Sequence, residues 1–136
     1  MNSPNVNVSF FPEEGDAIVY HPTPGWTSKE KKQAQISVKL KVVNNETVTL
    51  TWKKVVISYI VNGIKVSRQF LPKKGDPPTF IAIAPSKSKS WQNSRKYHKK
   101  GDVIYISGKV PVQLDFELFF EGFSDPVAIS KKLKPF

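Results

Sequence analysis

The chain has 136 residues, no cysteine, and 21 basic against 11 acidic residues, which give a formal net charge of +10 at pH 7. This length suits one domain with one hydrophobic core, so we expect residues 1–136 to form a single domain. The absence of cysteine excludes disulfides, thiolate metal ligands and cysteine nucleophiles.

Apolar residues recur at every second position along most of the chain, which predicts β-strands. In the first third, strands are expected at 6–11, 17–20 and 34–42, and residues 28–33 are the one short helix candidate. The alternation is clearest in the third of these strands. Its apolar face comprises Ala34, Ile36, Val38, Leu40 and Val42.

The alternation changes phase in the next apolar run. Val48, Leu50 and Trp52 share one parity, and the apolar set Val55, Ile57, Tyr59 and Val61 shares the other. A slip of one residue would turn the core face towards water, so the change at 53–54 predicts a bulge or a break in the strand.

The remaining chain reads as a series of short strands separated by turns. Asn62-Gly63 predicts a tight hairpin, because both residues readily adopt positive φ. Further strands are expected at 64–71, 79–84, 90–97, 103–107, 110–120 and 127–133. In 110–120, Phe116 is expected to face the core, and Asp115 and Glu117 to face solvent.

Strands of this kind must bury one face against a second sheet. The sequence therefore predicts an all-β fold, an immunoglobulin-like antiparallel β-sandwich of seven to nine strands. A β-barrel is the alternative. No apolar stretch approaches the ~20 residues that a membrane-spanning helix needs.

No constellation of residues predicts catalysis. His21 and His98 belong to no metal-binding motif. Asp115 and Glu117 lie two residues apart, and paired carboxylates can act on sugars, but their place opposite a long apolar face indicates a solvated surface. We expect no enzyme activity, no metal and no cofactor, and keep a small hydrolase only as a third hypothesis.

The net positive charge lies in the middle third of the sequence. Residues 53–100 carry twelve lysines or arginines and one acid, Asp76, whereas residues 1–52 are neutral and residues 101–136 carry a net charge of −1. A charge distribution this uneven favours polyanions or anionic surfaces as partners.

This basic region has two parts. The first basic group flanks the predicted hairpin and comprises Lys53, Lys54, Lys65, Arg68, Lys73 and Lys74. The second basic group interleaves bases with aromatic residues and comprises Lys87, Lys89, Trp91, Arg95, Lys96, Tyr97, Lys99 and Lys100. Basic side chains neutralise anionic groups and aromatic faces stack on bases or sugars.

Each of these residues also has a structural interpretation. Surface lysines keep a β-protein soluble and protect exposed sheet edges, and Trp91 can equally belong to the core. Trp26, in a loop rich in proline and glycine, is either a platform for a ligand or a lid on the core.

The last third of the chain resembles part of a known family. Val110-Pro111-Val112 leads into a strand over 114–120, Gly122-Phe123-Ser124-Asp125-Pro126-Val127 forms a turn, and Leu133-Lys134-Pro135-Phe136 ends the sequence. This stretch is similar to the sandwich that precedes the catalytic domain in some secreted bacterial peptidoglycan metallopeptidases. The resemblance implies a non-catalytic module with the zinc ligands on another domain, so no site residues carry over.

We therefore expect a non-catalytic interaction or accessory module that uses its cationic surface to bind a protein partner or an anionic surface. The alternative is a polyanion or nucleic-acid binding protein that uses the cluster over 87–100. We interpret the chain as a domain excised from a longer protein. It would then be secreted or periplasmic, and otherwise cytoplasmic.

Overall fold

The computed structural model describes residues 2–15, 17–23, 33–61, 63–93, 104–107 and 112–135. These residues form β-structure and turns, which confirms the all-β class, and no helix in this part of the chain is long and apolar enough to cross a membrane. They contain thirteen strands: β1 (Val6–Phe11), β2 (Glu13–Glu14), β3 (Ala17–Thr23), β4 (Gln33–Ile36), β5 (Lys39–Asn44), β6 (Leu50–Val61), β7 (Ile64–Phe70), β8 (Lys73–Lys74), β9 (Thr79–Ile83), β10 (Ser88–Gln92), β11 (Ile104–Ser107), β12 (Gln113–Phe120) and β13 (Val127–Pro135).

The strands form two sheets. The smaller sheet has the order β1-β5-β10, and the larger sheet has the order β11-β4-β3-β13-β12-β6-β9-β8, with β2 on β3 and β7 on β6. One pair, β13 with β3, is parallel, and it places Leu133 opposite Ile18. The larger sheet is therefore mixed, and the purely antiparallel arrangement expected from the sequence is wrong at this pair.

The hydrophobic core lies between the two sheets. The buried rings of Phe10 in β1 and Phe116 in β12 have centroids 4.9 Å apart. Trp52 in β6 and Trp91 in β10 meet edge to face at 6.3 Å. Because each of these pairs joins the smaller sheet to the larger one, the sheets face each other in a sandwich-like arrangement.

The run 34–42, expected as one strand, is divided between the two sheets. Its first part belongs to β4 of the larger sheet, which ends at Ile36, and its second part belongs to β5 of the smaller sheet, which begins at Lys39. At the junction the Val38 N–H donates to Asn93 Oδ1 (2.7 Å), and the Asn93 N–H donates to the Val38 carbonyl (3.3 Å). This buried asparagine supplies the hydrogen bonds that the chain loses as it leaves one sheet for the other. The thirteen strands exceed the seven to nine expected, in part because of this division and of the two-residue strands β2 and β8.

The phase change at 53–54 is confirmed as a bulge. In the pairing of β6 with β12, Phe119 lies opposite Lys54 and Phe120 lies opposite Trp52, so the register shifts by one residue. Trp52 and Val55 are both fully buried on either side of the bulge. The extra residue keeps the core face inward and places two consecutive lysines on the outer face.

The predicted hairpin is also confirmed. Val61 of β6 pairs with Ile64 of β7, and Gly63 adopts a φ of 77°. Two apolar residues lie outside the core although Val48 shares the parity of Trp52 and Val112 shares the parity of Phe116, since Val48 is 55% exposed and Val112 is 74% exposed. The helix candidate spans residues 28–33. Residues 28–32 lie outside the described residues, and Gln33 begins β4.

Candidate functional site

Three lysines of the first basic group lie against aromatic rings on the outer face of the larger sheet. The Nζ atoms of Lys53 and Lys73 are 4.1 and 4.7 Å from the ring centroid of Phe80. The Nζ atom of Lys54 is 4.3 Å from the ring centroid of Phe119. An ammonium group is attracted to the π-surface of an aromatic ring, so these contacts are stabilising. We call this surface the lysine–phenylalanine face; it comprises Lys53, Lys54, Lys73, Phe80 and Phe119.

The strand register explains this arrangement. Lys73 lies opposite Phe80 in the β8–β9 pair, and Trp52 lies opposite Ile81 in the β6–β9 pair. Trp52 and Ile81 point into the core, so their neighbours Lys53 and Phe80 point outward side by side. The bulge in β6 adds a second outward lysine to the same surface.

A cationic cleft opens next to this face. It has a volume of about 370 Å³ and is lined by Lys39, Lys73, Lys74, Ser90, Trp91 and Gln92. The lining comes from β8 in the larger sheet and from β5 and β10 in the smaller sheet. Half of these residues are lysines and none is acidic, so the cleft has a positive potential that favours an anionic ligand.

The other members of the first basic group lie elsewhere. Lys65 is exposed and pairs with Ile60 near the hairpin turn. Arg68 lies opposite the buried Ile57, and its guanidinium carbon is 5.4 Å from the ring centroid of Phe70. Arg68 is therefore on the inner side of β7, away from the outward lysines that it neighbours in sequence.

The described members of the second basic group belong to the edge of the smaller sheet. Lys87 and Lys89 are exposed, and Lys89 lies in β10 opposite Val42. Trp91 is 8% exposed and packs against Trp52 and against Phe70, whose ring centroid is 5.4 Å away. Trp91 is therefore a core residue, the structural interpretation given above, and it also forms part of the cleft wall.

Six predicted binding residues lie outside the described residues: Trp26, Arg95, Lys96, Tyr97, Lys99 and Lys100. Within the described ones, the structure brings Lys73 and Lys74 of the first basic group together with Trp91 of the second.

Five residues of these surfaces were not identified from the sequence: Lys39, Phe80, Ser90, Gln92 and Phe119. Strand parity could have indicated two of them, since Phe119 shares the outward parity of Asp115 and Phe80 is out of phase with its buried neighbours. No local signal could have placed Lys39 beside Lys73, because that proximity depends on how two sheets meet.

The carboxylate pair lies on the outer face of β12, half-buried. Asp115 Oδ1 accepts hydrogen bonds from Gln113 Nε2 (3.0 Å) and from Ser130 Oγ (2.6 Å). Within the described ranges, no three histidine, aspartate or glutamate side chains group as metal ligands.

Tyr59 offers a titration that tests the inward position of Arg68. Burial raises the pKa of the Tyr59 hydroxyl above its ordinary value of 10, and the positive charge of Arg68 partly offsets that rise. The pKa of Tyr59 is higher in the folded than in the unfolded protein, so the protonated hydroxyl contributes to stability. This contribution is complete below pH 10 and is lost as the pH rises through the folded pKa.

We expect Arg68→Gln to raise the pKa of Tyr59 further. The difference in ultraviolet absorbance between each protein and its Tyr59→Phe counterpart isolates this one hydroxyl during an alkaline titration. An unchanged pKa in Arg68→Gln would show that the guanidinium does not face Tyr59.

No protein-family model and no curated protein sequence matches the chain. Among solved structures, it is similar to a Bordetella pertussis protein provisionally called ApaA, with a TM-score of 0.52 and 9% identity over 96% of this chain and 90% of that one. This likeness concerns the fold alone. It shows that another chain of comparable length has a similar arrangement of strands.

Two further likenesses have lower TM-scores. The structural genomics target SoR45 has a TM-score of 0.48 at 14% identity, over 97% of this chain and 83% of that one. The Pseudomonas fluorescens alkylpurine DNA glycosylase AlkC, bound to DNA containing an abasic site analog, has a TM-score of 0.46 at 8% identity over 95% of this chain. This chain spans only 30% of the AlkC chain.

Proposed function

We propose that this chain is a non-catalytic interaction or accessory module of the immunoglobulin-like sandwich type. Its cationic cleft and lysine–phenylalanine face bind an anionic surface of a protein partner. The observation that carries this proposal is the convergence of Lys39, Lys73 and Lys74, from two different sheets, on one cleft whose described lining residues include no carboxylate.

Electrostatics gives such a cleft a preference for an anion. Like charges held close together repel each other, and a bound anion relieves that repulsion. Lys73 is also held by its contact with the Phe80 ring, so part of the cleft is ordered before a partner arrives. Less side-chain freedom is then lost on binding.

The cleft favours an acidic protein over nucleic acid, the alternative partner. Binding of single-stranded nucleic acid relies on aromatic faces that stack on bases. Among the described residues of the cleft lining, Trp91 is the one aromatic residue, and it is 8% exposed. Its ring packs against Trp52 and Phe70, which leaves little of it to stack on a base.

Charge reversal tests the proposal. We compare Lys39→Glu/Lys73→Glu/Lys74→Glu with the control Lys65→Glu/Lys132→Glu/Lys134→Glu, which changes three exposed lysines on β7 and β13 and alters the net charge equally. On heparin, the cleft variant should elute at lower salt than the control and bind about 10- to 100-fold more weakly, from roughly 0.5–1 kcal/mol per lysine contact.

Circular dichroism checks that both triple variants stay folded. Equal elution of the two variants would contradict a specific role for the cleft. Hydrolytic turnover that is lost in Asp115→Asn would contradict the non-catalytic part of the proposal and favour the small-hydrolase hypothesis.

A further inference from the structure

The cationic cleft runs along one edge of the smaller sheet. Within the described part of the chain, β10 pairs with β5 only. Three consecutive residues of β10, Ser90, Trp91 and Gln92, line the cleft. Consecutive side chains of a strand point to opposite faces, so a cavity that contacts three in a row lies along the strand edge.

Two hydrogen bonds fix the direction of the β10 backbone. The Asn44 N–H donates to the Lys87 carbonyl (2.9 Å), and the Asn93 N–H donates to the Val38 carbonyl (3.3 Å). Lys87 and Asn93 flank β10, so the backbone groups of the odd-numbered residues in this segment are directed towards β5. In an antiparallel ladder, residues directed towards the partner alternate with residues directed away from it. The backbone groups directed away from β5, towards the edge that pairs with no other described strand, are those of Ser88, Ser90 and Gln92.

We propose that the cationic cleft binds an extended peptide segment rich in aspartate or glutamate, which adds to β10 as a further strand. This inference rests on the proposed function and specifies the conformation and chemistry of the partner. The backbone groups at the edge of β10 supply affinity that does not depend on sequence, and the lysines select acidic side chains.

The lysines are placed to meet both faces of such a strand. Lys39 lies opposite Gln92 in the β5–β10 pair, on the side of the smaller sheet that faces away from the core. Lys73 and Lys74 approach the cleft from β8, in the other sheet. The five residues of β10 span ~17 Å, which matches an added strand of about five residues.

The probe is a fluorescein-labelled hexapeptide of alternating glutamate and valine, with its affinity measured by anisotropy. One analogue carries N-methyl groups on alternate amides, and a second carries them on all amides. Alternate amides of an extended strand face the same side, so the first analogue keeps one edge able to pair with β10 and the second keeps none.

We expect the first analogue to bind within about threefold of the parent peptide and the second to bind at least about tenfold more weakly, the loss expected for two or more backbone hydrogen bonds. Equal affinities for the two analogues would overturn strand addition. The fully methylated analogue retains every carboxylate, so charge alone predicts no difference between them.

A variant pair tests the same edge from the protein side. Ser90→Pro removes an N–H that is directed away from β5, and proline is tolerated at such edge positions, whereas Ser90→Ala removes only the hydroxyl. We expect the proline variant to bind the hexapeptide about fivefold more weakly than the alanine variant, the loss of about one backbone hydrogen bond. A folded Ser90→Pro with unchanged affinity would overturn the inference, and if this variant does not fold, the methylated peptides decide.

The two proposals fail in different ways. If heparin binding requires the cleft lysines but both methylated analogues bind alike, the cationic surface stands and strand addition is wrong. If neither heparin nor the hexapeptide distinguishes the cleft variant from its control, both proposals are wrong.

Discussion

Replacing Phe116 with alanine should lower the free energy of unfolding by about 3–5 kcal/mol. Phe116 is fully buried in the middle of β12, where it pairs with Ile129 of β13 and Ile57 of β6. Its ring contacts Phe10 of the smaller sheet at 4.9 Å. Its loss would remove apolar burial and leave a cavity where the two sheets meet.

Phe119→Ala is the matched control, on the same strand but on its outer, half-buried face. It loses the contact with Lys54 and should cost about 1 kcal/mol or less. Urea unfolding followed by circular dichroism compares the two variants. A change below 1 kcal/mol for Phe116→Ala would mean that the inward parity of β12 is wrong.

Replacing Asn44 with alanine should cost about 2–3 kcal/mol, through hydrogen bonds rather than packing. Asn44 is fully buried, and its Nδ2 donates to the carbonyls of Val48 and Ile83, each at 2.8 Å. Its Oδ1 accepts from the Glu46 N–H at 2.7 Å. The side chain thus joins the end of β5 to the turn that follows and to β9 in the other sheet, and alanine would remove all three hydrogen bonds.

Asn45→Ala is the control for this prediction, because Asn45 is the next residue and is exposed. We expect a change within about 0.5 kcal/mol for this variant, by the same urea titration. Asn44→Asp keeps the shape of the side chain but loses both Nδ2 donors, so it should destabilise the protein as well. Similar effects of Asn44→Ala and Asn45→Ala would contradict the structural role of Asn44.

The features that sequence analysis predicted correctly are local ones. The hairpin at 62–63 depends on two adjacent residues, the bulge at 53–54 on a phase change within one strand, and the buried face of β12 on its own alternation. Pairing between strands that are distant in the sequence produces no local sequence pattern. The parallel pair β13–β3 and the passage of 34–42 between sheets preserve the alternation, and the bridge from Asn93 to Val38 joins residues 55 positions apart.

The same distinction applies to the candidate site. Clustering of charge along the sequence predicted a cationic surface that includes Lys73 and Lys74. It also grouped Arg68 with them, although Arg68 lies on the inner side of β7. Lys39 belongs to a part of the sequence with no net charge, and only the meeting of two sheets places it in the cleft.

Amide chemical-shift mapping of the ¹⁵N-labelled protein during titration with polyglutamate is the decisive measurement. If an acidic partner binds in the cationic cleft, the largest chemical-shift changes will cluster at Lys39, at Lys73 and Lys74, and along 88–92. Chemical-shift changes of similar size at Lys65 and Lys132, or the largest changes at the hairpin turn, would mean that polyglutamate does not bind specifically in the cationic cleft.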